Sequence, residues 1–377
     1  MHNKLQEIIL QIEKTGYLNL SAVEEAKARQ EVLAKPTGAL GKLEDISIQL
    51  AGITGKVKND MKKQAVVIMS ADNGVVEEGV ASAPQSVTLS QTINFTRHFT
   101  GVSSMAKYFG IDLLVIDVGV KMAIPKSLYS DSMTTGEHRI TDKIVNRRIA
   151  NGTRNLSKEA AMSREQALTA IMIGIDAVKA LKDCGYDIFG VGEMGIGNTT
   201  TSACVLAALC EKAGKDVVGR GGGINDEGFA RKIAIVDEAT SKLDKNDILG
   251  VLAAVGGFDI CAMTGAFLGA ALYKMPVVID GYISAVAALA ASALAPKTVN
   301  YMFGSHQSKE KGYLIAMEAL GIAPYFNLGM RLGEGSGCPI SFKIIETACA
   351  AMNGMATFAE GAIDADYLEE GKRGNFF

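Results

Sequence analysis

Residues 65–72, AVVIMSAD, and residues 112–120, DLLVIDVGV, decide the fold class of this 377-residue chain. Each is a short apolar run rich in β-branched side chains and bounded by turn residues, so each reads as a strand buried on both faces. Between them, QTINFTRHFTGVSSMAKYFG (91–110) carries helical spacing. Two such strands joined by a crossover helix make a βαβ unit, which requires a parallel sheet.

The pattern continues outward. DIFGVG (187–192), PVVID (276–280) and NYMFGS (300–305) read as further strands. Helices are expected at 227–243, 261–273, 284–295 and 308–320. A longer one starts at Ser163, where Gln166 completes a capping box, and stops at Gly185. Strands alternating with helices over most of the chain argue for an α/β fold with a doubly wound parallel sheet. Residues 121–160 are polar and weakly periodic, an excursion from this order. Helices at 3–14, at 21–34 (with Ser21 as cap and Glu24 three residues on) and from Leu43 have no strand partner, and neither has the helix at 340–360. The expected division is a small helical domain from both termini, 1–60 with 340–377, and a large α/β domain, 61–339, that carries the site.

Lys plus Arg total 38 and Asp plus Glu total 41, a net charge of −3, with no basic cluster; nothing here points to a nucleic-acid partner. The apolar run 275–295 is interrupted by Asp280, and AVAALAASALA is too short to span a bilayer, so it reads as a helix buried on all sides. No secretory h-region opens the chain. The six cysteines show neither C-x-x-C spacing nor a histidine at zinc spacing, which predicts free, buried thiols in a cytoplasmic protein.

Ligands of open parallel sheets bind beyond the carboxyl ends of the strands. Five loops there are rich in glycine and polar residues. Asp72-Asn73-Gly74 is by itself a turn. Gly192-Glu193-Met194-Gly195-Ile196-Gly197-Asn198-Thr199 leads into a helix whose free N–H groups favour an anion, although Glu193 suits hydroxyl groups or a cationic ring better than phosphate. Gly219-Arg220-Gly221-Gly222-Gly223 repeats the anion logic, with Arg231 and Lys232 a helical turn beyond. Gly304-Ser305-His306 leads into a helix that Ser308 could cap. Arg331-Leu332-Gly333-Glu334-Gly335 sets one carboxylate between glycines that let the main chain approach a substrate. No metal-ligand cluster or cofactor motif is present. These loops describe a metal-independent, nucleotide-handling enzyme with several anion sites and two well-placed glutamates.

Taken together, the loops are more specific than any one of them. KPTGALGKLEDISIQLAGITG (35–55), ADNGVVEEGV (71–80), GVGEMGIGNTTTSA (190–203), GRGGGINDEGFARK (219–232), VGGFDICAMTGAFLGAA (255–271), GSHQSKEKG (304–312) and MRLGEGSG (330–337) occur in order along nearly the whole chain. The chain thereby resembles the nicotinate-nucleotide:5,6-dimethylbenzimidazole phosphoribosyltransferases of cobamide lower-ligand assembly. The resemblance implies a Rossmann-like doubly wound sheet, a small helical domain from both termini, a dimer, and a site at the strand ends. It implies displacement of nicotinate from nicotinate mononucleotide by a ring nitrogen of an aromatic base, with inversion from β to α. It maps the general base onto Glu334 and a supporting glutamate onto Glu193. Nucleotide binding maps onto Asn198, Thr199, Gly221, Lys232, Ser305, Arg331 and Gly333, and the acceptor pocket onto Ala83, Gln91 and Met194. Two positions depart from the family pattern: Asn73 stands where members often carry His, and Ala83 where they often carry Ser or Tyr. Some family members pair as heterodimers and use phenol or p-cresol, and that is the alternative reading here. A catalytically silent partner subunit is disfavoured by the presence of Glu334, Glu193 and Lys232.

Overall fold

The computed structural model describes residues 2–136 and 138–364, so the part of the expected helical domain beyond 364 lies outside the described residues. Its centre is a seven-stranded sheet: β1 Gln64–Ala71, β2 Asp112–Gly119, β3 Tyr129–Ser130, β4 Ile144–Asn146, β5 Ile188–Met194, β6 Val277–Val278 and β7 Met302–Phe303. The order is β3-β4-β2-β1-β5-β6-β7 and every pairing is parallel. All eight residues of β1 are buried, as its apolar run requires of a strand covered on both faces. β3 and β4 arise within the 121–160 excursion, where two and three residues of strand leave no periodicity to read.

Successive connections leave β1 in opposite directions, to β2 on one side and eventually to β5 on the other. Such a reversal opens a crevice at the carboxyl ends of the two central strands.

The crossover from β1 to β2 holds two helices, Ser86–Phe95 and Gly101–Phe109, rather than one. Thr100 closes a capping box with Ser103 and starts the second. The capping box at Ser163 is present as read, on helix Arg164–Asp183. This helix packs closely on Phe258–Tyr273, because Gly174 and Gly265 let backbone meet backbone. A Cβ at either would lie 1.9 Å from a carbonyl oxygen of the other helix. The alanine-rich helix Tyr282–Leu294 is buried through Ala291.

Contacts divide the chain into two units, Lys63–Ile340 with the residues up to Gly16, and Tyr17–Lys62 with the chain from Ser341 on. The first helix, His2–Thr15, therefore belongs with the large unit and not with the small one; it packs on Arg164–Asp183 and Phe258–Tyr273. In the small unit, helix Leu20–Val32 is capped by Asn19, whose side chain accepts the Ala22 N–H. Ser21, the expected cap, instead lies inside the helix and bonds Glu25. A small apolar cluster of Ala22, Ala26, Ala51 and Met352 holds this unit, with Arg29 donating to the Met352 carbonyl at 2.8 Å. The later helices begin at Asp226, Tyr282, Tyr313 and Cys338, and Gly312 rather than Ser308 precedes the third of these. Helix Ile248–Val255 was not foreseen. All six cysteines are free, and five are buried. Among the described residues no helix is long and apolar enough to cross a membrane.

Candidate active site

A cleft of about 290 Å³ opens at the carboxyl ends of β1, β5, β6 and β7. Ten of the twelve residues singled out from sequence line it: Ala83, Gln91, Glu193, Met194, Asn198, Thr199, Gly221, Arg331, Gly333 and Glu334. The other two stand behind its wall. Ser305 is fully buried and gives its hydroxyl to the Asp280 carbonyl at 2.7 Å. Lys232 is 1% exposed and reaches the cleft through Thr199, whose hydroxyl accepts from its Nζ at 2.7 Å.

Part of the cleft lining suits an anion. Helix Asn198–Cys210 begins at the cleft; its Asn198 and Thr200 N–H groups bond the Gly195 and Gly197 carbonyls, so what it offers an anion is the positive end of its dipole beside Thr199. Arg220, Gly221, Gly222 and Arg331 line the same cleft. Burial pushes the Lys232 amine down to about 8. Glu310 sits in the same place; burial raises its pKa while Lys232 and Arg331 pull it back. Val80, Ala83, Val87, Met194 and Ile196 add apolar side chains to the lining. Asn73 is wholly buried beneath the floor, not on the cleft wall.

Two carboxylates, Glu193 and Glu334, line the same cleft. Glu334 lies in a turn where three successive residues are left-handed, with φ of +81° at Gly333, +65° at Glu334 and +87° at Gly335. Such a backbone is easy for glycine and strained for glutamate. The turn sends the Glu334 side chain to the start of helix Gly101–Phe109, where Oε2 accepts the Val102 N–H at 3.1 Å. Gln91 donates to Oε1 at 3.4 Å. Burial raises the Glu334 pKa; the Val102 and Gly101 N–H groups and the Thr100 side chain oppose it. Glu193 accepts the Glu334 N–H at 3.4 Å through Oε1 and the Asn198 amide through Oε2. Burial, with the nearby charges of Asp259 and Asp280, pushes Glu193 up to about 8.

Residues 16–363 match the model of a phosphoribosyltransferase family. The chain belongs to this family. A relative from Clostridium perfringens strain 13, named nicotinate-nucleotide–dimethylbenzimidazole phosphoribosyltransferase, is 52% identical over 370 residues, 98% of each chain. One of the same name from Clostridium tetani is 43% identical over 349 residues, 92% of each chain. The crystal structure of CobT from Thermus thermophilus superposes with a TM-score of 0.85 at 34% identity, over 92% of this chain and 99% of that one. The Rossmann-like fold read from the resemblance is therefore the fold of this phosphoribosyltransferase.

Sequence reasoning passed over two parts of this family member's site. Asp280 is read from sequence as the end of the strand PVVID and an interruption of an apolar run, with no role of its own, yet it lines the cleft at 2% exposure. Its signal was position, since an acid at the exit of a strand repeats what Asp72 does after the first one. The start of helix Gly101–Phe109 was also missed. Its signal, Thr100 followed by Ser103, lay inside what read as one continuous helix.

Proposed function

We propose that this chain moves the ribose 5-phosphate of nicotinate mononucleotide to 5,6-dimethylbenzimidazole, releasing nicotinate and forming the α-ribotide, and that it acts as a cytoplasmic dimer. The observation that carries this reading is the buried Glu334 carboxylate, held by Val102 and Gln91 in a cleft lined both by anion-binding and by apolar residues.

Chemistry follows from these two kinds of lining. The phosphate of the donor takes the helix start at Asn198 and Thr199, the glycine loop at Gly221, and Arg331, with Lys232 supplying charge through Thr199. The aromatic acceptor takes the apolar wall of Ala83 and Met194, edged by Gln91. One acceptor nitrogen bonds to the anomeric carbon while the C–N bond to the pyridinium breaks. The departing ring takes that electron pair and leaves neutral at nitrogen, so it needs little acid assistance. The proton on the acceptor's other nitrogen goes to Glu334, a step typically worth ~10²–10⁴ in rate. Glu193 supports the base by accepting its backbone N–H, and when ionised it favours positive charge developing on the sugar. Holding both reactants in contact supplies the larger share of the acceleration.

The test is incubation of the purified chain alone with nicotinate mononucleotide and 5,6-dimethylbenzimidazole. Nicotinate release and a product with the mass of the α-ribotide are expected. Phenol, p-cresol and purines run in parallel. Absence of product from the benzimidazole, with turnover of a phenol only when a paralogue is added, overturns the acceptor and the subunit arrangement together. Light scattering of the same sample checks the dimer.

A further inference from the structure

The turn that carries Glu334 is held from outside itself. Asp280 follows β6, and its carboxylate spans the turn: Oδ2 accepts the Gly335 N–H at 3.0 Å and Oδ1 accepts the Gly337 N–H at 2.6 Å. Within the turn, Ser336 N–H reaches the Gly333 carbonyl at 3.0 Å. That bond, with the one from the Cys338 N–H to the Gly335 carbonyl at 3.0 Å, does not account for three consecutive left-handed residues, one of them a glutamate.

Asp280 is itself anchored. The Ile279 N–H donates to the Phe303 carbonyl at 2.8 Å, and the Ser305 hydroxyl donates to the Asp280 carbonyl at 2.7 Å. The carboxylate therefore projects from the rigid carboxyl edge of the sheet onto a loop. His306 Nδ1 stands 3.7 Å from Oδ1, but burial pushes that imidazole down to about 4, so it is neutral at physiological pH and makes no ion pair. Backbone N–H groups, those of Gly335 and Gly337 together with the neighbouring Gly281, rather than a cation, are what this carboxylate holds.

We infer that Asp280 is a positioning residue for the reaction: by clasping the N–H groups of Gly335 and Gly337 it fixes the turn that presents Glu334 to the acceptor. The inference rests on the role proposed for Glu334 and adds the element that aims it. An amide at 280 keeps one acceptor oxygen and turns an NH₂ toward the other N–H. One of the two bonds is then lost and a donor faces a donor. The turn loosens while the rest of the cleft lining stays in place.

Asp280→Asn is therefore expected to lower kcat on the order of 10²-fold, the effect of a small misplacement of a reacting group, with the KM for nicotinate mononucleotide almost unchanged. The reading that a merely structural role would not give is non-additivity. In a Glu334→Gln background, followed by product mass over long incubations, Asp280→Asn should add little, because it acts through the group already removed. Near-normal kcat in Asp280→Asn overturns the inference, and so does an additive loss in the double variant. A near-normal rate in Glu334→Gln alone strikes instead at the role of the base, and the two failures are thus distinguishable. Should the Asn variant fail to fold, amide hydrogen exchange on the unaltered protein decides: Gly335 and Gly337 N–H must be protected, and rapid exchange at both overturns the clasp.

Discussion

Glu334 caps a helix that lies 232 residues away in the chain, its Oε2 accepting the Val102 N–H at 3.1 Å. A carboxylate at a helix N-terminus meets unpaired N–H groups and the positive end of the helix dipole, which favour its ionised form. Burial favours the protonated form. Burial outweighs the N–H groups and leaves the proton affinity raised, the direction that suits the base proposed for the reaction.

That pairing can be tested at Val102. Val102→Pro removes the donor N–H and exchanges the buried valine side chain for a ring of similar size, at a position in the first turn of a helix, which tolerates proline. With a stabilising donor lost, the Glu334 pKa rises further, and the acid limb of the pH profile of kcat/KM moves to higher pH. The titratable groups nearby, Glu193 and Asp280, are left in place. An unmoved limb assigns the titration to another group.

Glu334→Gln keeps the size and the contact to Val102 but cannot take a proton. The kcat should fall by ~10²–10⁴, while calorimetry shows nicotinate mononucleotide binding unchanged. Loss of nucleotide affinity with normal kcat points to a binding role instead.

Gly333→Ala challenges the turn directly. Its Cβ would lie 2.6 Å from Glu193 Oε1, at a φ of +81°. The left-handed backbone alone costs roughly 1–2 kcal/mol, and the clash separates Glu193 from the Glu334 N–H. Both a lower melting temperature and a lower kcat are expected; an unaffected kcat shows that the two glutamates work independently.

Lys232→Met preserves the buried stem and removes the charge behind Thr199. A hydrogen bond to a charged group is worth about 1.5–3 kcal/mol, so nucleotide affinity should weaken by roughly 10- to 100-fold, with a smaller change in kcat. An effect confined to the acceptor KM places Lys232 in other work.

Stability of the empty protein should depend on pH through its buried acids. Burial pushes Glu193 up to about 8, and Asp259 and Asp280 up to about 7. These groups hold protons in the folded state that the unfolded chain has already released, so folding stability falls as pH rises through their folded values. His306, at about 4 when folded and 6.5 when unperturbed, opposes this only below 6.5, and Lys232 opposes it only above about 8. The melting temperature should therefore decline between pH 6.5 and 8, and Glu193→Gln should flatten the upper part. A rising melting temperature across that window contradicts the protonation of the cluster.

Much was legible in the residues themselves. Apolar β-branched runs at 65–72 and 112–120 became β1 and β2, and Ser163 with Gln166 formed the capping box that the spacing requires. Glycine-rich exits from strands located Glu193 and Glu334, because glycine marks where backbone approaches a ligand. The hidden parts were those without a local signal. β3 and β4 are too short to show alternation. Asn19 was overlooked as a helix cap because Ser21, two residues on, carries the same signature. The division placed at residue 60 missed that His2–Thr15 packs with the large unit, since an amphipathic helix shows an apolar face without showing what covers it.

By itself the sequence determined the parallel α/β sheet, the loops at its carboxyl edge and the family, since strand patterning, turn chemistry and ordered motifs are written in neighbouring residues. Only the tertiary structure decided which backbone holds each acid. Val102 with Glu334, and Asp280 with Gly335 and Gly337, are long-range pairs. Their donors are main-chain N–H groups, which every residue but proline carries, so no side-chain pattern distinguishes those that hold a carboxylate from those that pair within a helix or strand.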